Sequence, residues 1–248
     1  MTTYSLYNGQ VQLEFDPEVH QYKIGDRIIP NMTNITKVCA NNGSALLGWG
    51  MKLASEKFLQ IVKPNVKYDE IALIDMAKQI KSCAISSRDR SGDIGTMLHE
   101  HVEKFLTDGG EAEIHNPEVL NAYTQFKNWY ATESFEVVNL EKKVYYKDDK
   151  YEFCGTTDCL AKDKDGYVVM DWKTSKSADY WNYRLQVVGY SIGLASELGI
   201  KINKAKILCF PKAGKYKIVT VDISETIREA FFACVKLYQT IEGEKKHA

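Results

Sequence analysis

Two acids and a lysine stand in order along the middle of this 248-residue chain, as Gly155-Thr-Thr-Asp158 and then Asp171-Trp-Lys173, and an amide and a phenol follow as Gln186-x-x-x-Tyr190. Carboxylates that converge beside an ammonium group can hold a divalent cation and aim a water at a phosphodiester, so the series reads as a metal-dependent phosphodiesterase site. The run from Gly166 to Thr174 alternates like a β-strand, and its two-residue period puts Asp171 and Lys173 on one face and Val168, Met170 and Trp172 on the other. The preceding run, Tyr151 to Lys162, reads as a second strand joined through Asp163-Lys-Asp-Gly166, a hairpin turn with glycine at its end. Antiparallel pairing across that turn brings Asp158 close to Asp171. Two hard oxygen ligands suit Mg²⁺ or Mn²⁺ better than zinc, which favours nitrogen and sulfur. An isolated Asp-x-Lys is most often a salt bridge between strands, but here it sits inside a series.

That series, preceded by Gly95-Thr-Met-Leu-His99 on an upstream helix, resembles the RecB-like branch of the PD-(D/E)XK nuclease superfamily over roughly residues 91 to 192. The run from Phe15 to Pro30 is similar, more loosely, to the opening hairpin of phage-type and mitochondrial-type members. The resemblance implies an α/β fold: a PD-(D/E)XK core with a central mixed β-sheet flanked by helices, plus an N-terminal hairpin and a helical elaboration. It implies that His99, Asp158 and Asp171 bind Mg²⁺ or Mn²⁺ with the Trp172 backbone carbonyl as a further ligand, and that Lys173 is the catalytic lysine. Gln186 and Tyr190, four apart on one helix face, would line the site; without the resemblance they read as an ordinary half-buried face. His101, two residues from His99, points elsewhere and is not assigned to the metal. Glu141 lies on the strand expected before Gly155, where relatives place an acid that supports a second metal; a solvated strand position beside Lys142 and Lys143 is an equal reading.

The activity implied is that of a DNA exonuclease of replication, recombination or repair, with a viral source among the options. Its substrates would be single-stranded or duplex ends. The alternatives are a structure-specific endonuclease or a CRISPR-adaptation exonuclease on the same core, or a DNA-binding subunit that does not cleave. A net charge of −1 speaks against a nucleic-acid partner until its distribution is read: residues 1–140 carry 13 basic and 18 acidic side chains, residues 141–217 carry 15 basic and 10 acidic. The second segment, with Lys142, Lys143, Lys147, Lys150, Lys204 and Lys206 among its cations, offers phosphate contacts around the proposed site. Arg88, Arg90, Lys176 and Arg184 are the candidate DNA-binding residues.

No apolar run approaches the ~20 residues needed to span a bilayer, and the polar start lacks a secretory signal, so a soluble, intracellular, cytoplasmic protein is expected. The six cysteines form no Cys-x-x-Cys pair and read as reduced, buried thiols. Some RecB-like nucleases hold an iron–sulfur cluster on cysteines grouped near the C-terminus; only Cys209 and Cys234 follow the motifs here, so no cluster is expected.

The pattern predicts helices near 33–41, 44–62, 69–90, 94–107 and 117–133, with Ser86 to Gly95 as a mobile loop where Arg88 and Arg90 meet phosphate. Strands near 204–210 and 215–221 follow the Gln-x-x-x-Tyr helix. A final helix is capped by Asp222-Ile-Ser-Glu225, with Ile227, Phe231, Cys234, Tyr238 and Ile241 as its buried stripe. One nuclease domain is expected over 1–248, with the hairpin and helical elaboration in 1–90 and the core in 91–248. Gly189 and Gly193 would let the Gln-x-x-x-Tyr helix approach the sheet.

Overall fold

Alternating apolar residues through the middle of the chain give five strands that pair side by side. In the computed structural model, which describes residues 1–40, 43–111 and 113–245, they are β5 (Glu136–Lys147), β6 (Glu152–Asp163), β7 (Gly166–Lys173), β8 (Ile202–Cys209) and β9 (Lys217–Asp222), in that spatial order. All neighbours are antiparallel except β7 and β8, which run parallel, so the sheet is mixed. Parallel neighbours need a crossover, and α5 (Trp181–Leu198) supplies it, ending at Gly199 in the left-handed region that glycine adopts without strain. The β6–β7 hairpin forms as the sequence predicts, with Asp163 opposite Gly166 and Cys159 opposite Met170.

Each face of this sheet is apolar and each is covered, giving an α/β fold with helices on both sides. On one face Leu160, Val169 and Ile207 pack with α5, with α1 (Met32–Lys37) and with α6 (Glu225–Lys245). On the other, Cys159, Ala161, Val168, Met170 and Trp172 pack with Leu98 and Val102 from the end of α3 (Glu70–Asp108) and with Ala122, Phe126 and Trp129 of α4 (Pro117–Tyr130). Helix α4 starts where the chain dictates: Asn116 accepts the backbone N–H groups of Glu118 and Val119, and Pro117 fills a first-turn position that needs no donor.

The expected N-terminal hairpin is a larger structure. Strands β1 (Thr2–Leu6), β2 (Val11–Asp16), β3 (Gln21–Ile24) and β4 (Arg27–Ile29) form an antiparallel meander whose inner side chains Leu6, Leu13, Tyr22 and Ile29 pack on Tyr145 and Cys154 of the large sheet. Polar ties fix that packing. Tyr22 Oη lies 2.7 Å from Thr156 Oγ1, Arg27 makes a two-pronged contact with Glu152 at 2.8 and 3.0 Å, and the Cys154 backbone N–H donates to the Pro30 carbonyl.

Several expectations change. Residues 86–95 are helical, so the two predicted helices are the single α3: Gly92 and Gly95 each cost only about 1 kcal/mol in a helix interior, and no proline interrupts the run. The chain divides into two compact units, Met1–Ala40 with Leu98–Ala248, and Asn41–Met97. The second holds α2 (Gly43–Ile61) and most of α3, with Gly50 beside Ala84. Cys39 and Cys234 form a disulfide joining the segment after α1 to α6, against the expectation of reduced thiols; Cys83, Cys154, Cys159 and Cys209 are free. A separation of 195 residues left no local signal for that pair. Asp222 ends β9 instead of capping α6, and Ile241 is exposed, with Val235 taking the buried place.

One of the two expected close approaches to the sheet is visible. A side chain at Gly193 would run into Val144 of β5, as expected for a helix lying tight on the sheet, whereas one at Gly189 would meet Met32 and Phe231, which belong to α1 and α6. Alanine ordinarily stabilises a helix interior by about 1 kcal/mol relative to glycine. Gly193→Ala is instead expected to destabilise by about 1–2 kcal/mol through overpacking, read as a lower urea midpoint at unchanged slope.

Candidate active site

The acids and the lysine meet because the β6–β7 register makes Asp158 and Asp171 cross-strand neighbours on the α5 side of the sheet. Both are buried, at 7% and 1% exposure, and a buried carboxylate is costly unless it is bonded or balanced. Asp158 Oδ2 accepts the Trp172 backbone N–H at 2.6 Å, and Oδ1 lies 3.4 Å from His99 Nδ1. The other His99 nitrogen, Nε2, is 2.9 Å from the Trp172 carbonyl oxygen. Lys173 Nζ lies 2.6 Å from Asp171 Oδ2, as an ion pair in which that oxygen receives no well-directed hydrogen bond. Trp172 therefore carries chemistry on its backbone and packing on its ring, which is buried among Phe126, Trp129 and Phe210.

Glu141 joins this group through an irregular backbone. Leu140 pairs with Cys159 and Lys142 with Thr157, while Glu141 between them has φ 45°, a left-handed conformation that a non-glycine residue rarely takes inside a strand. One ligand atom each from His99, Glu141 and Asp158 falls within a 4.8 Å group. The sequence expected His99, Asp158 and Asp171 to form the ligand set with Glu141 optional. In the structure Glu141 is in the tight group, and Asp171 lines the same cleft while engaging Lys173.

The cleft has a volume of about 200 Å³ and also receives Gln186 and Tyr190 from α5. Gln186 Nε2 donates to Tyr190 Oη at 2.7 Å, which leaves the phenol proton free for another acceptor. Gly155 makes room for this pair, since a Cβ there would lie 2.8 Å from the Tyr190 ring. Tyr183 was missed in the sequence although it is legible: it precedes Gln186 by three and Tyr190 by seven, hence shares their helix face, and its ring lies 5.2 Å from Lys173 Nζ. His20, Tyr22, Asn31, Met32 and Thr33 also line the cleft. They come from the small sheet and α1, where no local motif marks them.

Crowded charge governs the titration of these groups. Burial lowers His99, but Asp158 outweighs it and raises the imidazole to about 9. A doubly protonated ring can then donate to both Asp158 and the Trp172 carbonyl. Burial raises Asp158, and the His99 charge and hydrogen bond pull it below the usual carboxylate range. Burial, with Asp158 adding to it, raises Glu141 to about 7. Burial also raises Asp171 to about 6, against the pull of Lys173. Burial lowers Lys173, but Asp171 and Asp158 hold it above the ordinary lysine value, so it is a firm ammonium. One imidazole nitrogen, two carboxylates within 4.8 Å and a nearby buried carboxylate oxygen lacking a directed hydrogen bond fit a hard divalent cation.

The proposed phosphate contacts are differently disposed. Lys142 pairs with Glu197, Lys204 with Asp163 and Asp165, and Lys206 with Glu133, so much of the positive excess balances nearby acids. Arg184 closes on Asp179 at 2.7 Å and lies over the Trp181 ring. Arg88 pairs with Asp89 on α3, and Arg90 is on the same helix, in the second unit. Lys176 lies in the segment between β7 and α5, its carbonyl accepting from Lys217. Lys143 is buried over the rings of Tyr4 and Phe15, facing inward rather than toward a substrate. His101 sits beside Tyr123, away from the acids, as expected.

No family model and no curated protein matches the sequence. Solved structures similar in part include a protein from Eubacterium rectale with a provisional exonuclease designation, at 11% identity and a TM-score of 0.38, covering 58% of this chain and 64% of that one, just under two thirds of its length. The protein SSO0001 matches at 13% identity and a TM-score of 0.37, covering 75% of this chain and 85% of that chain. At these scores neither likeness bears on the chemistry.

The protonation pattern sets a test of the cation site. His99 must lose its proton before it can ligate, so binding competes with protons below about pH 9, and with the Glu141 proton below about 7. Mn²⁺ affinity measured by calorimetry should rise at least about tenfold from pH 7 to 8, about one proton released per ion, and His99→Gln should keep only the shallower dependence left by the Glu141 proton. An affinity that is flat over this interval removes His99 from the ligand set.

Proposed function

We propose that this cleft is the active site of a metal-dependent deoxyribonuclease, a PD-(D/E)XK-type enzyme of the RecB-like branch. The observation that carries the reading is the convergence of His99, Glu141 and Asp158 within 4.8 Å beside the buried Asp171–Lys173 pair. His99, Asp158, Asp171 and the Trp172 carbonyl would hold one Mg²⁺ or Mn²⁺, and Glu141 contributes to that shell or to a second ion. When bound, the cation polarises a phosphate oxygen and acidifies a water.

The protein groups do the rest. Asp158 is held by the Trp172 N–H at 2.6 Å, which restrains where its oxygens stand. Lys173, held as an ammonium by Asp171, orients the attacking water and neutralises charge developing on the phosphate. The Gln186–Tyr190 pair offers the phenol O–H to a substrate oxygen. Lys176 and Arg184, near the start of α5, and Arg88 and Arg90 on α3 are proposed to contact the DNA backbone; Arg184 and Arg88 must leave acid partners to do so.

Asp171→Asn, Asp158→Asn and Lys173→Ala should each lower DNA hydrolysis in Mg²⁺ or Mn²⁺ by about a hundredfold or more, while His101→Ala stays near wild type. End-labelled DNA with and without EDTA checks this, and full activity in EDTA or in any of the three variants overturns the reading.

Digestion from an end is the form of the activity proposed, in replication, recombination or repair, by resemblance to the RecB-like exonucleases. Closed circular DNA should therefore survive conditions that degrade linear DNA of the same sequence. Rapid cutting of closed circles would assign the site to an endonuclease instead.

A further inference from the structure

A second hollow of about 320 Å³ adjoins the active-site cleft and shares His20, Tyr22 and Asn31 with it. The two lie within the same compact unit. Their linings differ in chemistry. The cleft collects the carboxylates and Lys173, whereas the hollow is walled by exposed apolar side chains, Val19 and Ile28, by Asn31 and Asn34, and by Tyr238 and Glu242 of α6. Of the described cations near it, Lys37 donates to Asn34 Oδ1, Lys245 pairs with Glu242, and Lys143 lies buried over the Tyr4 and Phe15 rings.

Among the described residues, the charged side chain that lines this hollow is Glu242, whose carboxylate would repel a phosphate. A flat, uncharged heterocycle finds apolar contact, amide groups for its edge and an aromatic face. His20 supplies that face. It is exposed, takes φ 50° in the turn between β2 and β3, and makes T-shaped ring contacts with Phe15 and Tyr22 at 5.3 and 5.8 Å.

We propose that this hollow is a nucleobase subsite. It receives the base of the nucleotide whose phosphate lies in the carboxylate cleft, with His20 as its stacking platform and Ile28 as its apolar floor. The inference rests on the nuclease reading of the cleft. A base stacked on an aromatic side chain gains about five- to a hundredfold in affinity, and stacking tolerates any base because every base has a π-face.

The test is equilibrium binding to the full chain with Ca²⁺ present, comparing thymidine 5′-monophosphate with deoxyribose 5-phosphate, which keeps the phosphate and sugar and lacks the base. Wild type should bind the nucleotide at least about fivefold more tightly. His20→Ala and Ile28→Ser, both at exposed positions, should each reduce that ratio toward one, and Ile28→Ser, which lies outside the carboxylate cleft, should leave deoxyribose 5-phosphate binding unchanged. Equal binding of the two ligands by wild type, no binding of the nucleotide, or a ratio that survives in both variants overturns the subsite. A base-dependent ratio in a protein that hydrolyses no DNA in any metal would keep the subsite and remove the nuclease reading.

Discussion

The site depends on one backbone hydrogen bond. Asp158 is buried next to another buried carboxylate, and what makes its charge tolerable is the Trp172 N–H aimed at Oδ2, with His99 on the other oxygen. That donor is aimed by the register of a two-residue hairpin, so a slip of one residue between β6 and β7 would turn one strand over, sending Asp158 or Asp171 into the opposite apolar core and bringing that strand's apolar residues toward the cleft. Fold and site are therefore specified by the same pairing. The positive charges of His99 and Lys173 offset those of Asp158 and Asp171 in the metal-free protein, and the unusual titration of all four follows from that crowding in a desolvated space.

Sequence periodicity made the large sheet and the grouping of its acids and lysine legible because both are local. Alternation placed Asp171 and Lys173 on one face against Val168, Met170 and Trp172, and Asp163-Lys-Asp-Gly166 marked the turn that joins the two acids. Spacing also put Gln186 and Tyr190 together, and the same reasoning extended by three residues would have found Tyr183. Glu141 was ambiguous because its role comes from a left-handed backbone in a strand, which no composition rule announces. The walls of the cleft were out of reach for a different reason: His20, Tyr22 and Asn31 arrive through tertiary packing over more than a hundred residues of separation.

Misreadings had physical causes as well. Serines, aspartates and glycines between 86 and 95 have turn propensity, yet helix continuation on both sides outweighs the roughly 2 kcal/mol that two glycines cost. Charge counted along the chain overstated the cation available to a substrate, because Lys142, Lys204 and Lys206 answer acids that are distant in sequence and close in space. Lys143 goes further, its ammonium lying over the rings of Tyr4 and Phe15 and its pKa lowered by burial.

The small N-terminal sheet also has a consequence for the order of synthesis. Leu6, Leu13, Tyr22 and Ile29 form a face covered by Tyr145 and Cys154, so the first thirty residues emerge from the ribosome more than a hundred residues ahead of the surface that shields them. At ~5–20 residues per second that interval is ~6–25 s, long compared with the microseconds in which a hairpin forms. A four-stranded meander with one bare apolar face must wait through it. Until Tyr145 and Cys154 are made, Leu6, Leu13, Tyr22 and Ile29 have no surface to close on, so completion of the small sheet's core is tied to the later large sheet.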